Sequence, residues 1–467
     1  MTVSSLVPRV ALLPLVLGWM TACAGEVVSG GGAALGEGSP PPGAPEPAAP
    51  PAAYPGQGFV VHEWGTDTVV VGSDGSLQRG LHHEEEDLPG FVYDRIRAGN
   101  VPGSTSVHVK METPVTYFYS DKPMKARVQV AFPSGVLTQW YPAVASFYPW
   151  VAEANAVPGL VEDADPALDP AFPWVGPTCQ EKHGALGQGL LDWGELEILP
   201  RGSGAEVPEA SLDAFTWSHA RAVDANYVRA SGVPTTSGAP EAERFLFYRG
   251  LGNLETPARV TAAPSAVRVE NTLPDTLGAL FVVNVGPDGG AFTVVPAGVL
   301  PGQTVDLDAP ALAEAAPLDA FAEDLGEAVT KTLDGAGLYH DESLAMVATW
   351  KRQWFRTPGL RVFYLAPQSW TDATLPLTVD PAPESVTRVM MIRVEVITPD
   401  LEEADVAAAQ GLADPTTEAA ARAHFLGLGR FAEPRLRRAL GLLGQPAWGE
   451  PLLADVTSAE TRATVGE

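Results

Sequence analysis

The sequence predicts an α+β fold: an antiparallel β-sandwich or jelly-roll-like body followed by a part in which helices and strands mix. Three observations predict it. From residue 59 to about 307, apolar residues recur at every second position in short runs separated by Gly, Pro, Asn and Asp, the period of strands with one face on a core. Near Ala309 the spacing changes to that of amphipathic helices, whose apolar positions recur every three or four residues. Before residue 58 the chain has neither pattern.

The first segment reads as an export signal. Arg9 precedes a mostly apolar run from Val10 to Met20, and small residues follow at Thr21 and Ala22, the layout of a secretory signal peptide over residues 1–22. The run is shorter than the roughly 20 apolar residues that a membrane-crossing helix needs, and Pro14 would interrupt it. Its end, Met20-Thr21-Ala22-Cys23, resembles the lipobox of bacterial lipoproteins, with Met20 where leucine is commonest. The resemblance implies that Cys23 is acylated and becomes the first mature residue. Ala24, in place of the aspartate associated with inner-membrane retention, implies an outer-membrane anchor with the body facing the periplasm or the surface. Residues 23–57 are Gly, Ala, Pro and Ser with almost no large side chain. Such a stretch buries too little surface to offset the entropy of ordering and reads as a disordered tether.

The strand-rich body is expected over residues 58–307. In 107–112, Val107, Val109 and Met111 fall on one face and His108, Lys110 and Glu112 on the other, which predicts a half-buried strand. Further strands are read at 115–119, 128–132, 195–199, 245–248, 267–269, 279–285 and 292–295. Asp74-Gly75 and Asp288-Gly289 supply tight-turn signals. A helix-plus-strand region over 308–400 is expected to pack on this body, with helices at 311–334 and 339–355 and strands at 361–365 and 389–397. In the second helix, Tyr339, Met346, Val347, Trp350 and Trp354 share a stripe, while Asp341 and Glu342 fall in the first turn, where negative charge suits the helix dipole. An Ala-rich helical tail occupies 401–467.

Composition excludes several partners. The formal charge of −28 opposes nucleic acid, whose binding needs clustered Lys and Arg. With two cysteines in the chain and Cys23 carrying lipid, Cys179 is alone and a disulfide framework is excluded. The sequence lacks a G-x-S-x-G elbow, a G-x-x-x-x-G-K-[ST] loop, an H-E-x-x-H helix and a paired C-x-x-C, which removes the hydrolase, nucleotide and zinc readings visible as motifs. A glycosidase pair of carboxylates stays open, because only their separation in space defines it.

Several blocks occur in an unusual combination: Val61-His-Glu-Trp-Gly-Thr66, Lys110-Met-Glu-Thr-Pro-Val115 with Tyr117-Phe-Tyr-Ser120, Thr138-Gln-Trp-Tyr-Pro142, and Met346-Val-Ala-Thr-Trp350 with Trp354-Phe355. They resemble the corresponding segments of a group of uncharacterised exported bacterial proteins. The resemblance runs over about residues 59–400 and implies one integrated unit; it carries no catalytic residue.

The candidate chemistry lies in a few clusters. His62-Glu63 and the run His82-His83-Glu84-Glu85-Glu86-Asp87 hold the ligand types of a hydrolytic divalent ion such as zinc. His62, His82, His83 and Glu84 are the candidate ligands, set against a solvated acidic loop beside a strand. If 59–64 is a strand, His62 and Glu63 point to opposite faces and only one can join a given site. Cys179 and His183 have a C-x-x-x-H spacing but lack two further ligands, so a buried inert thiol is the plainer reading. His340-Asp341-Glu342 reads as helix capping, because adjacent helical residues do not face one another. Glu162, Asp163, Asp165 and Asp169 lack a calcium-loop spacing. Trp140, Tyr141 and Trp150, with Phe147, Tyr148, Phe172 and Trp174 nearby, are candidates for stacking on sugar rings if exposed, and for core filling if not. Together these observations favour an envelope lipoprotein acting as a non-catalytic binding or structural module. Its expected partners are the membrane through the lipid anchor, and envelope polysaccharide or another envelope protein, with no nucleic acid. The alternative is a metal-dependent hydrolase using His62, His82 and His83.

Overall fold

The first strand of the body, Val60–Val71, lies near the centre of the main sheet. The computed structural model describes residues 58–94, 107–148, 188–210, 216–233, 235 and 238–457. The signal sequence, Cys23, the tether, Trp150, Phe172, Trp174, Cys179, His183 and the acidic residues from Glu162 to Asp169 lie outside the described residues. Strands in the N-terminal part are β1 (Val60–Val71), β2 (Tyr93–Asp94), β3 (Val109–Tyr119), β4 (Met124–Phe132), β5 (Gly135–Tyr141), β6 (Ser146–Tyr148), β7 (Gly189–Ile198), β8 (Val228–Ala230), β9 (Glu241–Glu243) and β10 (Leu246–Gly252). There follow β11 (Ala258–Ala263), β12 (Ala266–Asn271), β13 (Leu280–Val285), β14 (Gly289–Val295), β15 (Thr304–Asp308) and β16 (Ala316–Pro317). Helices α1 (Leu318–Gly335) and α2 (His340–Trp354) precede β17 (Gly359–Ala366), α3 (Gln368–Thr374), β18 (Leu377–Asp380) and β19 (Ser385–Val396). The tail forms α4 (Pro399–Gln410), α5 (Glu418–Leu426), α6 (Ala432–Leu442) and α7 (Glu450–Thr457).

The arrangement is mixed and mostly sheet, with strands concentrated toward the N-terminus and helices toward the C-terminus. Its main sheet has ten strands in the order β16-β14-β13-β17-β19-β1-β3-β10-β5-β2. The C-terminal half contributes β13, β14, β16, β17 and β19 and the N-terminal half β1, β2, β3, β5 and β10. They join at β1 and β19, which run parallel in unbroken register from Val60 beside Ser385 to Val71 beside Val396. The boundary expected near residue 307 is therefore not a break in the sheet, nor is the sheet antiparallel throughout. A second sheet, β18-β4-β7-β8-β9, takes β18 from the C-terminal half and pairs it with β4. A third, β11-β12-β15, keeps to one stretch of chain.

A bulge in β3 fixes which residues face which way. Trp64 pairs with Val115 and Thr66 with Glu112, so Thr113 and Pro114 stand opposite Gly65 alone. Thr113 takes a φ of 50°, a left-handed conformation costly for a β-branched residue. A Cβ on Gly65 would lie 3.1 Å from atoms of Pro114, so glycine lets the bulged strand approach. The extra residue puts Lys110 and Glu112 on the same face as Thr66 and Thr68, and Thr116 on the face of Glu63. The segments expected as separate strands at 107–112 and 115–119 are this one bent strand. Its polar face, expected in water, is buried, with Lys110 and Glu112 each 1% exposed.

The second helix follows its pattern closely, whereas the first, expected from residue 311, begins at Leu318, because Ala316–Pro317 pairs with β14. Phe321, Leu325, Val329 and Leu333 of α1 are buried along one stripe, as are Met346, Val347, Trp350 and Trp354 of α2. Thr398 caps α4 by accepting from the Leu401 amide, with Pro399 in the first turn, where its missing N–H costs nothing. The tail expected as Ala-rich helix breaks at Gly411 and Gly427 into short helices. These enclose a small core of their own built on Phe425, Leu436, Leu440 and Leu452. Phe431 and Leu401 attach it to Val70, Leu81 and Ile397 beside the main sheet.

Candidate functional site

Alternation along β1 separates its two chemical residues. Glu63 points to the face where Arg388, its direct neighbour on β19, donates through Nε at 2.9 Å and Nη2 at 2.5 Å to Glu63 Oε1. Thr116 and Tyr248 donate hydroxyls to the other oxygen at 2.8 and 2.7 Å. His62 points the opposite way, its Nδ1 2.9 Å from Oε2 of Glu342 in the first turn of α2. That carboxylate also accepts from the Tyr119 hydroxyl at 2.5 Å and the Tyr339 amide at 2.7 Å. The imidazole stacks on Tyr339 with centroids 4.4 Å apart. Glu342, expected to serve as a cap, does so and also anchors His62.

The acidic loop, expected in water, is mostly buried, and only Asp87 of it is exposed. His83 is wholly buried, and Glu84 and Glu85 are each 7% exposed. Glu84 accepts from Lys110 Nζ and Arg249 Nη1, both at 2.7 Å, so its oxygens serve buried cations rather than a metal. Burial would raise its pKa, but Lys110 and Arg249 hold it below the usual carboxylate range. Glu85 lies 3.6 Å from Arg393 and 3.4 Å from Arg430. Arg430 bonds Glu112 at 2.6 Å, and against the upward pull of burial Arg430, Lys110, Arg249 and Arg393 bring Glu112 down to about 2. Arg393 and Arg361 close on Glu395, at 2.5 and 2.9 Å. A buried row of paired charges thus runs across the main sheet beneath the loop and the tail. Such pairs define a unique arrangement more surely than they stabilise one, since desolvation offsets much of their attraction.

On the other face Asp67 has no such partner among the described residues. Its Oδ1 is buried with no hydrogen-bond partner among them, and burial, with Glu112 adding, pushes its pKa up to about 8. At neutral pH it is a protonated acid.

Of the expected ligands His62, His82, His83 and Glu84, the structure brings together His82 and His83 and adds Glu433 of α6. His62 and Glu84 are engaged elsewhere, as described. The two imidazoles lie with centroids 4.0 Å apart. Glu433 Oε2 is 3.1 Å from His83 Nε2 and 3.6 Å from His82 Nδ1, while its other oxygen accepts from Arg437 at 2.7 Å. Gly80 is needed here: at φ 96°, a Cβ on it would stand 2.4 Å from Glu433 Cγ. Burial and His83 push the His82 pKa down to about 4 despite Glu433, so the ring is neutral in ordinary buffers. Glu433 lies 350 residues from His83, and no spacing in the sequence could have found it.

The stacking candidates are corrected. Trp140 and Tyr141 are 0% exposed: β5 lies within the sheet, so Trp140 stacks on Tyr93 and packs tilted against Phe147, and Tyr141 meets Phe91 edge-on. Neither can receive a sugar.

A cleft of about 330 Å³ lies where the tail meets the sheet. Val70, Val396, Ile397, Leu401, Leu428 and Phe431 form its apolar wall, with Glu395 and Arg435 as charged groups. Both are already fixed, Glu395 by Arg361 and Arg393, and Arg435 by two bonds of 2.7 Å to Asp405.

Neither a family model nor a curated protein matches the chain. Among solved structures it matches the mu-homology domain of yeast delta-COP-I, at 8% identity and a TM-score of 0.25 over 73% of this chain and 99% of that domain. The same domain complexed with the Dsl1 WxWxV peptide matches at 7% identity and a TM-score of 0.26, over 73% of this chain and 100% of the domain. At these scores the likeness carries no argument about this chain.

Proposed function

We propose that this protein is an exported, lipid-anchored binding module of the cell envelope. It takes a small, predominantly apolar ligand in the cleft between the main sheet and the helical tail. The cleft supports this reading: its 330 Å³ falls at the lower end of the roughly 300–1,000 Å³ typical of small-molecule sites. Its walls are mainly aliphatic and aromatic, and its two charged groups are held by partners behind them, so little ordering is left for binding to cost. The anchor is Cys23 and residues 24–57 are the tether, which fits the composition of that stretch. The hydrolase alternative built on His62 with His82 and His83 gains no support, because His62 is committed to Glu342.

The test is titration of the full chain with anilinonaphthalene sulfonate, a fluorescent probe for apolar clefts. Saturable one-site enhancement is expected. Leu428→Trp, which fills the cleft, weakens it by about tenfold or more, equivalent to ~1.4 kcal/mol, at an unchanged unfolding midpoint. Equal binding by the filled variant overturns the assignment of the cleft. Mass spectrometry of the mature protein, finding an N-terminus other than an acylated Cys23, overturns the anchor.

A further inference from the structure

We propose that His82 Nδ1, His83 Nε2 and Glu433 Oε2 form the protein part of a site for one divalent transition ion of the zinc class, fastening the helical tail to the main sheet. Two imidazole nitrogens and one carboxylate oxygen are a donor set that zinc accepts readily, leaving a fourth position for water. The donor atoms lie within 4.8 Å of one another. Ligands about 2.0–2.2 Å from a tetrahedral ion stand roughly 3.4 Å apart. The two imidazole-to-carboxylate separations, 3.1 and 3.6 Å, bracket that value.

Hydrogen bonding around the cluster points the same way. His82 Nε2 lies 3.3 Å from the carbonyl oxygen of Thr457, at the end of α7. A carbonyl only accepts, so Nε2 carries the hydrogen and Nδ1 is the nitrogen left to face the cluster. Among the described residues that Nδ1 is buried with no hydrogen-bond partner, and a carboxylate oxygen lies 3.6 Å away. A cation between the two is bound by both. Outer partners of the kind that orient metal ligands are in place. The Thr457 carbonyl fixes His82, and Arg437 holds the far oxygen of Glu433 while leaving Oε2 free to face the imidazoles. His83 and Glu433 are fully buried, and the His82 side chain is 11% exposed, which allows an ion to enter from one side. The ligands come from the loop after β1 and from α6, so the ion crosslinks sheet and tail.

The inference stands apart from the cleft reading and is tested without it. Purified full-length protein, stripped with a chelator, is titrated with zinc by equilibrium dialysis, and with cobalt(II), whose visible absorption reports tetrahedral coordination. One equivalent is expected, with a rise in the urea unfolding midpoint on loading. Glu433→Gln and His83→Ala each lower affinity by about ten- to a hundredfold or more, while His62→Ala retains it. Should His83→Ala fail to fold, the nearly isosteric Glu433→Gln and the wild-type stoichiometry still decide. Wild-type protein that holds no zinc at micromolar concentration overturns the proposal, as does undiminished binding by Glu433→Gln.

Discussion

Two histidine clusters on this molecule solve the same problem differently. At the start of β1, His62 meets one carboxylate, Glu342, whose oxygens are taken by the imidazole, a tyrosine hydroxyl and a backbone amide. After β1, His82 and His83 share one oxygen of Glu433, and a ring nitrogen of His82 faces that oxygen unbonded. The first is a closed lock, complete in protein atoms alone. The second has acceptors facing one another and becomes complete with a cation. Proximity of histidine and carboxylate therefore does not identify a metal site; the count of donors against acceptors does.

If the early part of β1 is closed, removing any one partner there is expensive. Arg388→Ala, which strands Glu63 in the core, is expected to cost about 3–5 kcal/mol, read from urea unfolding of the purified chain; a loss below ~1 kcal/mol breaks the picture of a saturated pair. Glu342→Ala comes next, at about 2–4 kcal/mol, because His62 and Tyr119 lose their shared acceptor. Its measured value sharpens the contrast with Glu433. In chelator, Glu433→Gln is expected to cost less than Glu342→Ala, at about 1–2 kcal/mol, since the nearly isosteric amide keeps an oxygen toward Arg437 or His83; with zinc present the gap to wild type widens.

Between these lies Asp67, a carboxyl with no cation beside it among the described residues. Its folded pKa, about 8, is above its ordinary value of 3.8. The native state therefore holds a proton that the unfolded state releases between those values, and the stability it contributes falls as pH rises from about 4 through 8. Asp67→Asn mimics the protonated acid and does not titrate. Its stability relative to wild type is expected to rise by about 1–4 kcal/mol from pH 5 to pH 9, and superimposable pH profiles would refute the assignment.

Local periodicity made a good part of this fold legible. Strands toward the N-terminus, helices beyond residue 309, the limits of α2 and the opposed directions of His62 and Glu63 all follow from side-chain period within a dozen residues. Pairing partners do not. Nothing in Val60–Val71 names Ser385–Val396 as its neighbour, so an N-terminal body ending near 307 was the natural expectation. The acidic loop reads as solvated because its cations, Lys110, Arg249, Arg393 and Arg430, are scattered along the chain. The clue present was charge in apolar company, as in the run Met390-Met-Ile-Arg-Val-Glu-Val396, where arginine and glutamate in a strand buried on both sides must find partners there. His82 and His83 were legible as ligand types, but Glu433 was not, because a third ligand from a distant helix leaves no spacing behind. Trp140 and Tyr141 show the reverse error: aromatic density looked like a platform and proved to be filling.

The parallel pairing of β1 with β19 also governs how the chain can be made. Glu63 and Arg388 are 325 residues apart, so one edge of the earliest described strand stays open until more than four-fifths of the polypeptide is available. Non-local pairing of this kind slows folding. During synthesis the nascent protein is an unfinished sheet with a templating edge, and chains truncated before residue 385 should be aggregation-prone fragments rather than smaller working proteins.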